Sequence, residues 1–492
     1  MAPAPSLIAV LGAGTMGAGI AQLGCQAGMR TRLYDPVAEA RERGAETLRG
    51  HLERGVERGR LSREEADAAA GCLEVVDSVD ALAGCELVIE AAPERLDLKR
   101  ELLGQVAAAC GEECVLATNT SSLLVTAIAA GVPAPERVVG MHFFNPAPVM
   151  KLVEVVAGEL SGEPALALAR AAGEAMRKRV IEAADGPGFL VNRCGRPFSL
   201  EGERLVEERI ATPEEVDRIC RLGGGFRMGP FELRDLVGVD VSLDVAKSFY
   251  EQSFHEPRWK PSQLTVRMVA AGRLGRKCGY GFYRYGDGPH RPDDPEPPAP
   301  GGGDGTVAIG GGRPLAEQLR ERARAAGWQV ASGPGDGVEL DGARLLLCAR
   351  APLSALDERG DAVGFHALPP LAGLVELTRG PRTPDAAAHR AERFFATLGL
   401  HTAWVGDAPG LVLGRIVCQL VNEAAFAVTA GVGSPDDVDA GMTLGLSHPR
   451  GPVAWSRAIG LDHVLAVLDG LASFYREERY RAAPLLRRGW AA

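Results

Sequence analysis

Residues 7–17 read Leu-Ile-Ala-Val-Leu-Gly-Ala-Gly-Thr-Met-Gly, a short apolar run that passes directly into three closely spaced glycines. The run has the length and composition of a buried strand, and the residues that follow, up to Gly28, can form a helix. Gly12 permits a tight turn, Gly14 lets the backbone approach a pyrophosphate, and Gly17 lets the helix lie close to the strand. This pattern predicts a dinucleotide-binding site, and a purely structural glycine turn is the alternative.

An acidic residue follows the glycine turn at the distance typical of dinucleotide-binding units. Asp35 stands eighteen residues after Gly17, at the end of a second predicted strand, Thr31–Tyr34. A carboxylate there would accept hydrogen bonds from a ribose 2′-hydroxyl and repel a 2′-phosphate. The cofactor is therefore predicted to be NAD rather than NADP, held by Asp35 and by the loop residues Gly12, Ala13, Gly14, Thr15, Met16 and Gly17.

The composition excludes several classes of protein. The chain has 492 residues, of which 46% are hydrophobic and 24% charged, which is typical of a globular protein with several domains rather than a disordered one. A net charge of −10 disfavours broad nucleic-acid binding but allows a small anionic ligand. The ten cysteines form no CxxC pair and lie near no histidine cluster, so we expect reduced thiols and neither a disulfide framework nor a metal site.

The uncharged stretch Ala2–Met29 has to be compared with a signal peptide or a membrane span. No Lys or Arg precedes its apolar run, and four glycines interrupt the part that a spanning helix would fill with large side chains. No other segment approaches 18 consecutive apolar residues. We therefore expect a soluble, cytoplasmic protein that does not bind membranes.

The first half of the chain has the rhythm of a parallel α/β sheet. Short apolar runs alternate with helical patterns at Leu7–Leu11, Thr31–Tyr34, Leu87–Ala91, Val115–Thr118, Val138–Phe143 and Leu152–Val156. After Gly188 the pattern becomes helical, and Thr212-Pro213-Glu214-Glu215 resembles a helix N-cap followed by proline. The predicted fold is a Rossmann-like α/β domain followed by an all-α domain.

The second half repeats the first. Identical residues recur at one constant difference in residue number. The pairs are Asp185 and Asp407, Pro187 and Pro409, Gly188 and Gly410, Arg193 and Arg415, Pro213 and Pro435, Val216 and Val438, Asp217 and Asp439, and Gly229-Pro230 and Gly451-Pro452. A linker rich in Pro, Gly and Asp separates the halves. The predicted domains are residues 1–185 (NAD-binding), 186–286 (helical), 287–305 (linker), 306–406 (a shortened, degenerate Rossmann-like domain) and 407–492 (a second helical copy).

One histidine and one carboxylate occupy the place where open α/β sheets carry out chemistry. His142 follows the predicted strand Val138–Met141, and Glu154 is the charged residue of the otherwise apolar strand Leu152–Val156. A lone residue of either kind is usually structural. Together, a strand-end imidazole and a carboxylate on the next strand predict a general base and the group that orients it.

The motifs around these residues resemble the 3-hydroxyacyl-CoA dehydrogenase family. They are GAGTMGAGIA from Gly12, TNTSSL from Thr118, HFFNPAPVMKLVEVV from His142, DGPGFLVNR from Asp185, MGPFEL from Met228 and GYGFYRY from Gly279, in the order of that family. The resemblance covers residues 6–285 densely. The repeated C-terminal domain is similar to longer bacterial members and to the tandem arrangement in the multifunctional β-oxidation protein.

The resemblance implies a role for each matching residue. His142 would remove the proton of the 3-hydroxyl group, and Glu154 would hold the imidazole. Ser121 and Asn192 would form hydrogen bonds to the reacting oxygen and position the acyl chain. The structural alternatives are a helix N-cap for Ser121 and a helix-end amide for Asn192.

Further family positions concern the cofactor and coenzyme A. Glu94, Lys99, Asn145 and Lys277 match residues near the nicotinamide, its ribose or the diphosphate, with surface solvation as the alternative for both lysines. Arg54 and Arg58, on a helix predicted from Glu39 to Arg60, fall near the position that contacts coenzyme A. Glutamates interleave with these arginines, so a solvated mixed-charge face is the alternative.

The second half departs from the active pattern. Asn192 becomes Gly414, and His366 and Glu376 resemble His142 and Glu154 but stand ten residues apart instead of twelve. The turn Gly310–Gly312 has Leu315 where Gly17 would stand, so no dinucleotide is expected there. We expect one active site per chain, an internal pseudo-dimer of the helical domains and a possible homo-oligomer.

The resemblance implies an NAD-dependent (S)-3-hydroxyacyl-CoA dehydrogenase with an acyl-CoA substrate, in fatty-acid or aromatic-acid (phenylacetate-type) degradation. Short or dicarboxylic acyl chains both fit. Two alternatives use the same scaffold. One is a gulonate-type sugar-acid dehydrogenase, against which the extra C-terminal half argues, and the other is a non-catalytic, crystallin-like protein, against which the complete set of site residues argues.

Overall fold

The computed structural model describes residues 3–490, which form two compact units. The first runs to Arg193 and includes Ala430–Leu446. The second comprises Cys194–Thr429 and the residues from Ser447 onward.

The first unit is built on an eight-stranded sheet. Its strands are β1 (Leu7–Leu11), β2 (Arg30–Tyr34), β3 (Leu73–Val76), β4 (Leu87–Glu90), β5 (Val115–Thr118), β6 (Val138–Phe143), β7 (Leu152–Ala157) and β8 (Arg179–Ala184). Their order is β3-β2-β1-β4-β5-β6-β7-β8. All six predicted strands are present, whereas β3 and β8 were not predicted because their exposed, partly polar sequences lack a continuous apolar run.

The sheet departs from the predicted parallel pattern at one pairing. β6 runs parallel to β5, but β7 pairs antiparallel with β6, and β8 is again parallel to β7. The reason is the short connection between β6 and β7, which contains no crossover helix and so turns the chain back on itself. His142 lies inside β6 rather than after it, directly opposite Glu154.

Helices cover the sheet of the first unit. They are α1 (Thr15–Gln26), α2 (Ala38–Glu57), α3 (Arg63–Gly71), α4 (Leu96–Ala109), α5 (Val125–Ala129) and α6 (Glu163–Ala175). Between helices and sheet lies an apolar core that includes Ile8, Val10, Leu87, Ile89 and Val153. Helix α2 ends at Glu57, slightly earlier than predicted. Cys110 and Cys114 are buried and follow the end of α4.

A helical segment follows the first sheet. Its helices are α7 (Val191–Glu207), α8 (Pro213–Gly224), α9 (Pro230–Val237), α10 (Val239–Gln252) and α11 (Gln263–Ala270). The predicted N-cap of α8 is confirmed, because Thr212 and Glu215 form a reciprocal capping box and Pro213 occupies the first turn.

The second unit contains a seven-stranded sheet. Its strands are β9 (Thr306–Ile309), β10 (Gln329–Ser332), β11 (Gly337–Leu340), β12 (Ala343–Leu347), β13 (Val363–His366), β14 (Leu374–Arg379) and β15 (His401–Trp404), with helices α12 (Pro314–Ala325), α13 (Leu353–Leu356) and α14 (Asp385–Thr397). The order is β10-β9-β11-β12-β13-β14-β15. Strand β11 is antiparallel to both neighbours, and β14 is antiparallel to β13, so the degenerate Rossmann-like domain departs from the parallel pattern at three pairings.

A second helical segment closes the chain. Its helices are α15 (Leu413–Thr429), α16 (Pro435–Ala440), α17 (Pro452–Ile459), α18 (Leu461–Tyr475) and α19 (Pro484–Arg487), with a π-helical turn at Gly441–Gly445. Within residues 3–490 no single helix is long and apolar enough to span a membrane; α17 and α18 meet that criterion only as a pair, bent by 100°.

The linker has no helix or strand, as its composition predicts, yet ion pairs tie it down. Arg221 donates to Asp294 from two of its nitrogens, at 2.8 and 3.0 Å. Glu232 accepts from His290 at 3.0 Å and from Arg291 at 2.7 Å. Because Arg221 also donates to Glu232, at 2.8 Å, the linker joins a network rooted in α8 and α9.

Candidate active site

The glycine turn between β1 and α1 has the shape that a bound pyrophosphate requires. Gly12 has φ +95°, and a β carbon on Gly17 would lie 1.7 Å from the Gly12 carbonyl oxygen, so the helix can start this close only without a side chain. A β carbon on Gly14 would meet nothing within 4 Å. The turn therefore leaves open space in front of the first N–H groups of α1, where anions bind readily.

Asp35 is fixed beside this turn. Its Oδ2 accepts from the backbone N–H of Ala13 at 2.9 Å, and its Oδ1 accepts from that of Val37 at 3.0 Å. The carboxylate is half-buried and lies at the end of β2. It therefore ties the second strand to the glycine loop while remaining open to a further donor.

His142 and Glu154 form a buried pair. The Nδ1 atom of His142 lies 2.6 Å from Oε2 of Glu154, and the two residues are 6% and 0% exposed. Because a carboxylate can only accept, Nδ1 carries the proton and Nε2 keeps a free lone pair in the neutral ring. The pair can accept a proton at Nε2 and hold the resulting imidazolium.

The start of α7 fixes the other carboxylate oxygen. Oε1 of Glu154 accepts from the backbone N–H groups of Leu190 at 3.2 Å and Val191 at 3.0 Å. Asn192 is the next residue and stands in the first turn of α7. The structure therefore joins His142 to Glu154 by a hydrogen bond and places Asn192 next to the Val191 N–H group that binds the other carboxylate oxygen.

Glu94 gathers the loop after β5. Its Oε1 accepts from the backbone N–H of Ser121 and of Ser122, both at 3.0 Å, and from the hydroxyl of Thr120 at 2.7 Å. Burial opposes its charge, but the ammonium of Lys99 and these donors hold the pKa of Glu94 below its ordinary value. The side chain of Ser121 is exposed, so its hydroxyl is accessible to a ligand, whereas its backbone is fixed.

Lys99 is buried, so surface solvation is the wrong alternative for this lysine. It is 1% exposed, and its ammonium donates to Glu90 at 2.8 Å and to the Ala92 carbonyl at 3.2 Å. It also lies 3.3 Å from Glu94. Lys99 thus joins the end of β4 to the loop that carries Glu94.

The remaining predicted residues lie outside these bonded groups. Asn145 is exposed in the loop after β6. Arg54 is exposed in the last turn of α2, and Arg58, also exposed, follows that helix. Lys277 belongs to the second unit, where its ammonium lies 2.6 Å from both carboxylate oxygens of Asp240.

Sequence reasoning missed several residues of the site. Glu90, fully buried, accepts from Lys99 and from the Thr118 hydroxyl at 2.7 Å, and Asn119 accepts from the backbone N–H of Phe143 at 2.8 Å. The His142 ring packs against Phe144, with ring centres 4.5 Å apart. A charged residue closing the apolar run Leu87–Glu90 was the available indication of Glu90; the packing contacts had none.

The corresponding pair in the second half is rearranged. His366 and Glu376 are opposite each other on β13 and β14, as His142 and Glu154 are on β6 and β7. Glu376 accepts from the N–H groups of Val412 and Leu413, but Nε2 of His366 instead lies 3.1 Å from Nε2 of His463. The histidine and the carboxylate are therefore present but not engaged as a base and its orienter.

Models of one protein family match most of the chain. The 3-hydroxyacyl-CoA dehydrogenase NAD-binding domain matches residues 7–186. The C-terminal domain of the same family matches twice, over residues 188–285 and 410–492. The duplicated helical domain predicted from the internal repeat is thus matched at both of its copies.

Individual relatives agree. The chain is 36% identical to 3-hydroxyadipyl-CoA dehydrogenase of Escherichia coli (strain K12) over 98% of this chain and 96% of the relative. It is 38% identical to a probable 3-hydroxybutyryl-CoA dehydrogenase of Bacillus subtilis (strain 168), over 56% of this chain and 96% of the relative. A crystal structure of 3-hydroxybutyryl-CoA dehydrogenase from Escherichia coli K12 matches with a TM-score of 0.88 and 35% identity, covering 98% of both chains. The chain therefore belongs to the 3-hydroxyacyl-CoA dehydrogenase family and is an NAD-dependent oxidoreductase with a Rossmann-like NAD-binding domain.

Proposed function

We propose that this enzyme reversibly oxidises the 3-hydroxyl group of an (S)-3-hydroxyacyl-CoA to a ketone, with His142 as the general base. The observation that carries the proposal is the 2.6 Å contact between His142 Nδ1 and Glu154 Oε2, in a sheet whose glycine turn fits NAD. A buried carboxylate held by two backbone N–H groups orients the ring and compensates the charge that the ring gains.

The proposed reaction needs one proton acceptor and one hydride acceptor. The 3-hydroxyl proton passes to Nε2 of His142, while Glu154 holds the Nδ1 proton and stabilises the imidazolium. When bound, NAD supplies the hydride acceptor at nicotinamide C4. We propose that Ser121 and Asn192 donate hydrogen bonds to the reacting oxygen and position the acyl chain. Ser121 is accessible beside Glu94, and Asn192 follows Val191, whose N–H group binds Glu154.

For the cofactor, we propose that Asp35 bonds the adenosine ribose and that Glu94, Lys99 and Asn145 line the nicotinamide end. The fixed position of Glu94 supports its proposed role. Five donor atoms surround its carboxylate: the Lys99 ammonium, the hydroxyls of Thr120 and Ser122, and the N–H groups of Ser121 and Ser122. Lys277 is also proposed to bind NAD. Arg54 and Arg58, both exposed, are proposed to meet the phosphates of coenzyme A.

The acyl chain is proposed to be short or dicarboxylic. Two similar relatives carry the names probable 3-hydroxybutyryl-CoA dehydrogenase and 3-hydroxyadipyl-CoA dehydrogenase, and the latter matches over nearly the whole length. Fatty-acid or aromatic-acid (phenylacetate-type) degradation is the corresponding proposed role. The cytoplasm is the proposed location.

We further propose that the chain divides into the five predicted domains and that its two helical copies form an internal pseudo-dimer. Arg258 of the first copy donates to Glu423 of the second at 2.7 Å, and Tyr480 of the second donates to Glu201 of the first at 3.3 Å. The repeat that aligns Asp185 with Asp407 also aligns Arg258 with Tyr480 and Glu201 with Glu423. Such reciprocity is the mark of a two-fold interface and supports the proposal.

Turnover with acetoacetyl-CoA tests the proposed function. NADH consumption is measured for the wild type, for His142→Gln and for the matched variant His366→Gln. We expect rapid turnover in the wild type, a loss of about 10²–10⁴-fold in kcat for His142→Gln, and no loss for His366→Gln. A wild type that binds NADH but reduces no short, long or dicarboxylic 3-ketoacyl-CoA would overturn the proposal in favour of a sugar-acid dehydrogenase or a non-catalytic protein.

A further inference from the structure

A segment of the second helical copy belongs to the first unit, which contains the His142–Glu154 pair. Residues 430–446 lie inside the second match to the C-terminal domain, yet they form one compact unit with the NAD-binding domain. The segment contains α16 and the π-helical turn Gly441–Gly445. Two contacts fasten it to β8: the backbone N–H of Ala184 donates to the Val432 carbonyl at 2.8 Å, and Arg179 lies 3.5 Å from Asp437.

The segment approaches β7 and the start of α7 through positions that have no side chain. A β carbon on Gly433 would lie 2.5 Å from Leu190 Cδ2, and one on Gly441 would lie 2.6 Å from Val191 Cγ2. A β carbon on Gly445 would lie 2.9 Å from Leu152 Cδ2, 3.3 Å from Val191 Cγ1 and 3.4 Å from Phe144 Cε1. Any larger residue at these positions would push the segment or its neighbours away.

The three neighbours of Gly445 adjoin three residues of the proposed site, His142, Glu154 and Asn192. Phe144 packs against the His142 ring at 4.5 Å. Leu152 stands two residues before Glu154 on β7, and therefore on the same face of the strand. Val191 donates its N–H to Glu154 at 3.0 Å and precedes Asn192. Gly445 thus lies against all three residues that adjoin His142, Glu154 and Asn192.

We infer that Gly445 is a positioning residue: its missing side chain lets the turn Gly441–Gly445 close on Phe144, Leu152 and Val191 and so fixes the His142–Glu154 pair relative to Asn192. The second half of the chain would then be part of the catalytic apparatus, although its own histidine and glutamate are not paired. The inference rests on the proposed function, since it concerns the same site.

The chain supplies a matched control through its duplication. The alignment of the two halves places Gly445 on Gly223, Leu152 on Leu374 and Val191 on Leu413. A β carbon on Gly223 would lie 3.3 Å from Leu413 Cδ2 and 3.6 Å from the Leu374 carbonyl oxygen, within the second unit. The same kind of packing therefore occurs twice, once against the paired histidine and glutamate and once against the rearranged pair.

The test compares Gly445→Val and Gly445→Ala with Gly223→Val in the full-length enzyme. The readouts are kcat with acetoacetyl-CoA, the dissociation constant of NADH, and the NMR resonance of the His142 Cε1–H group in protein labelled with ¹³C at that position. Loss of one resonance in His142→Gln assigns the signal. The resonance reports the position of the Phe144 ring and does not depend on turnover, which separates this inference from the proposed function.

For Gly445→Val we expect kcat to fall at least about tenfold, corresponding to about 1.4 kcal/mol, the His142 resonance to move, and the dissociation constant of NADH to stay within about twofold. Gly445→Ala should change the resonance and kcat in the same direction as Gly445→Val, but by a smaller amount. If the valine variant does not fold, the alanine variant provides the test. Gly223→Val should change none of the three. An unmoved resonance, a parallel loss of NADH binding or an equal effect of Gly223→Val would overturn the inference, whereas a wild type without turnover would overturn the proposed function alone.

Discussion

The ring of His366 lies directly over Gly414, the residue that stands where the first half has Asn192. A β carbon on Gly414 would lie 2.2 Å from Cε1 of His366 and 2.8 Å from its two ring nitrogens. His366 is fully buried, and its Nδ1 finds no hydrogen-bond partner within residues 3–490. The second half therefore accommodates its histidine as a packed core residue, in the space that the asparagine side chain would need.

This contact predicts a strong coupling between the two positions. We expect Gly414→Ala to lower the free energy of unfolding by about 1–3 kcal/mol, because the new methyl group overlaps the imidazole. His366→Ala removes the obstacle, so the double variant should be more stable than the sum of the single effects requires. Urea denaturation of the four proteins gives the interaction energy. Additive effects within about 0.5 kcal/mol would show that the steric contact is absent.

The charge of Glu154, rather than its shape, should be needed for catalysis. Glu154→Gln retains an oxygen for the N–H groups of Leu190 and Val191, but its amide presents N–H to Nδ1 and favours the tautomer that protonates Nε2. We expect kcat to fall about 10²–10⁴-fold, with the dissociation constant of NADH nearly unchanged. Steady-state kinetics beside Glu376→Gln, which should keep the wild-type kcat, checks this. Equal kcat values for both variants would count against the proposed base.

Asp35 should determine the choice between NADH and NADPH. Its carboxylate would repel the 2′-phosphate of NADPH, so Asp35→Ala should lower the ratio of kcat/KM for NADH over NADPH by at least about tenfold. The Ala13 N–H, which now donates to Asp35, would lose its partner in that variant. Asp35→Asn, which keeps an acceptor oxygen without the charge, separates the two effects. An unchanged ratio in both variants would exclude a role for the charge.

Lys99 should matter for stability before it matters for the cofactor. Replacing it with Met leaves Glu90, fully buried, without its cation, and breaking a buried ion pair in this way costs about 3–5 kcal/mol. We expect a lower melting temperature for Lys99→Met and substantial recovery in Lys99→Met/Glu90→Gln, since that pair removes both charges. Lys277→Met, which breaks an exposed pair, should change stability by no more than about 1 kcal/mol.

The buried histidine pair should make the protein sensitive to acid. Burial holds the pKa of His366 well below its ordinary value, and burial together with Arg313 lowers the pKa of His463 to about 4. Between that value and the ordinary 6.5, the unfolded chain binds more protons than the folded one. The free energy of unfolding should therefore fall as the pH decreases through this window.

Replacing both rings tests this dependence. His366→Leu/His463→Leu should lose less stability than the wild type between about pH 7.5 and about pH 5, because two groups that resist protonation have been removed. His389→Leu, at an exposed position, should behave as the wild type does. Urea denaturation at both pH values gives the comparison. An identical loss in the double variant would show that other groups carry the acid sensitivity.

The sequence by itself determined the parts of this protein that depend on local patterns. The apolar run before Gly12 and the acid at Asp35 predicted the strand, turn, helix and second strand of the NAD-binding unit. The N-cap before α8 and the repeat that aligns Asp185 with Asp407 were equally visible. Each of these features depends on residues close in the chain or on direct self-comparison, so no knowledge of long-range contacts was needed.

Only the tertiary structure decided which distant groups meet. The antiparallel β6–β7 pairing puts His142 opposite Glu154, and the N–H groups of Leu190 and Val191 complete the carboxylate's bonds. The sequence also did not show that Lys99 is buried against Glu90, or that the His366 ring contacts His463 instead of Glu376. These outcomes depend on which buried polar groups find partners across long separations, and burial penalises every group that does not.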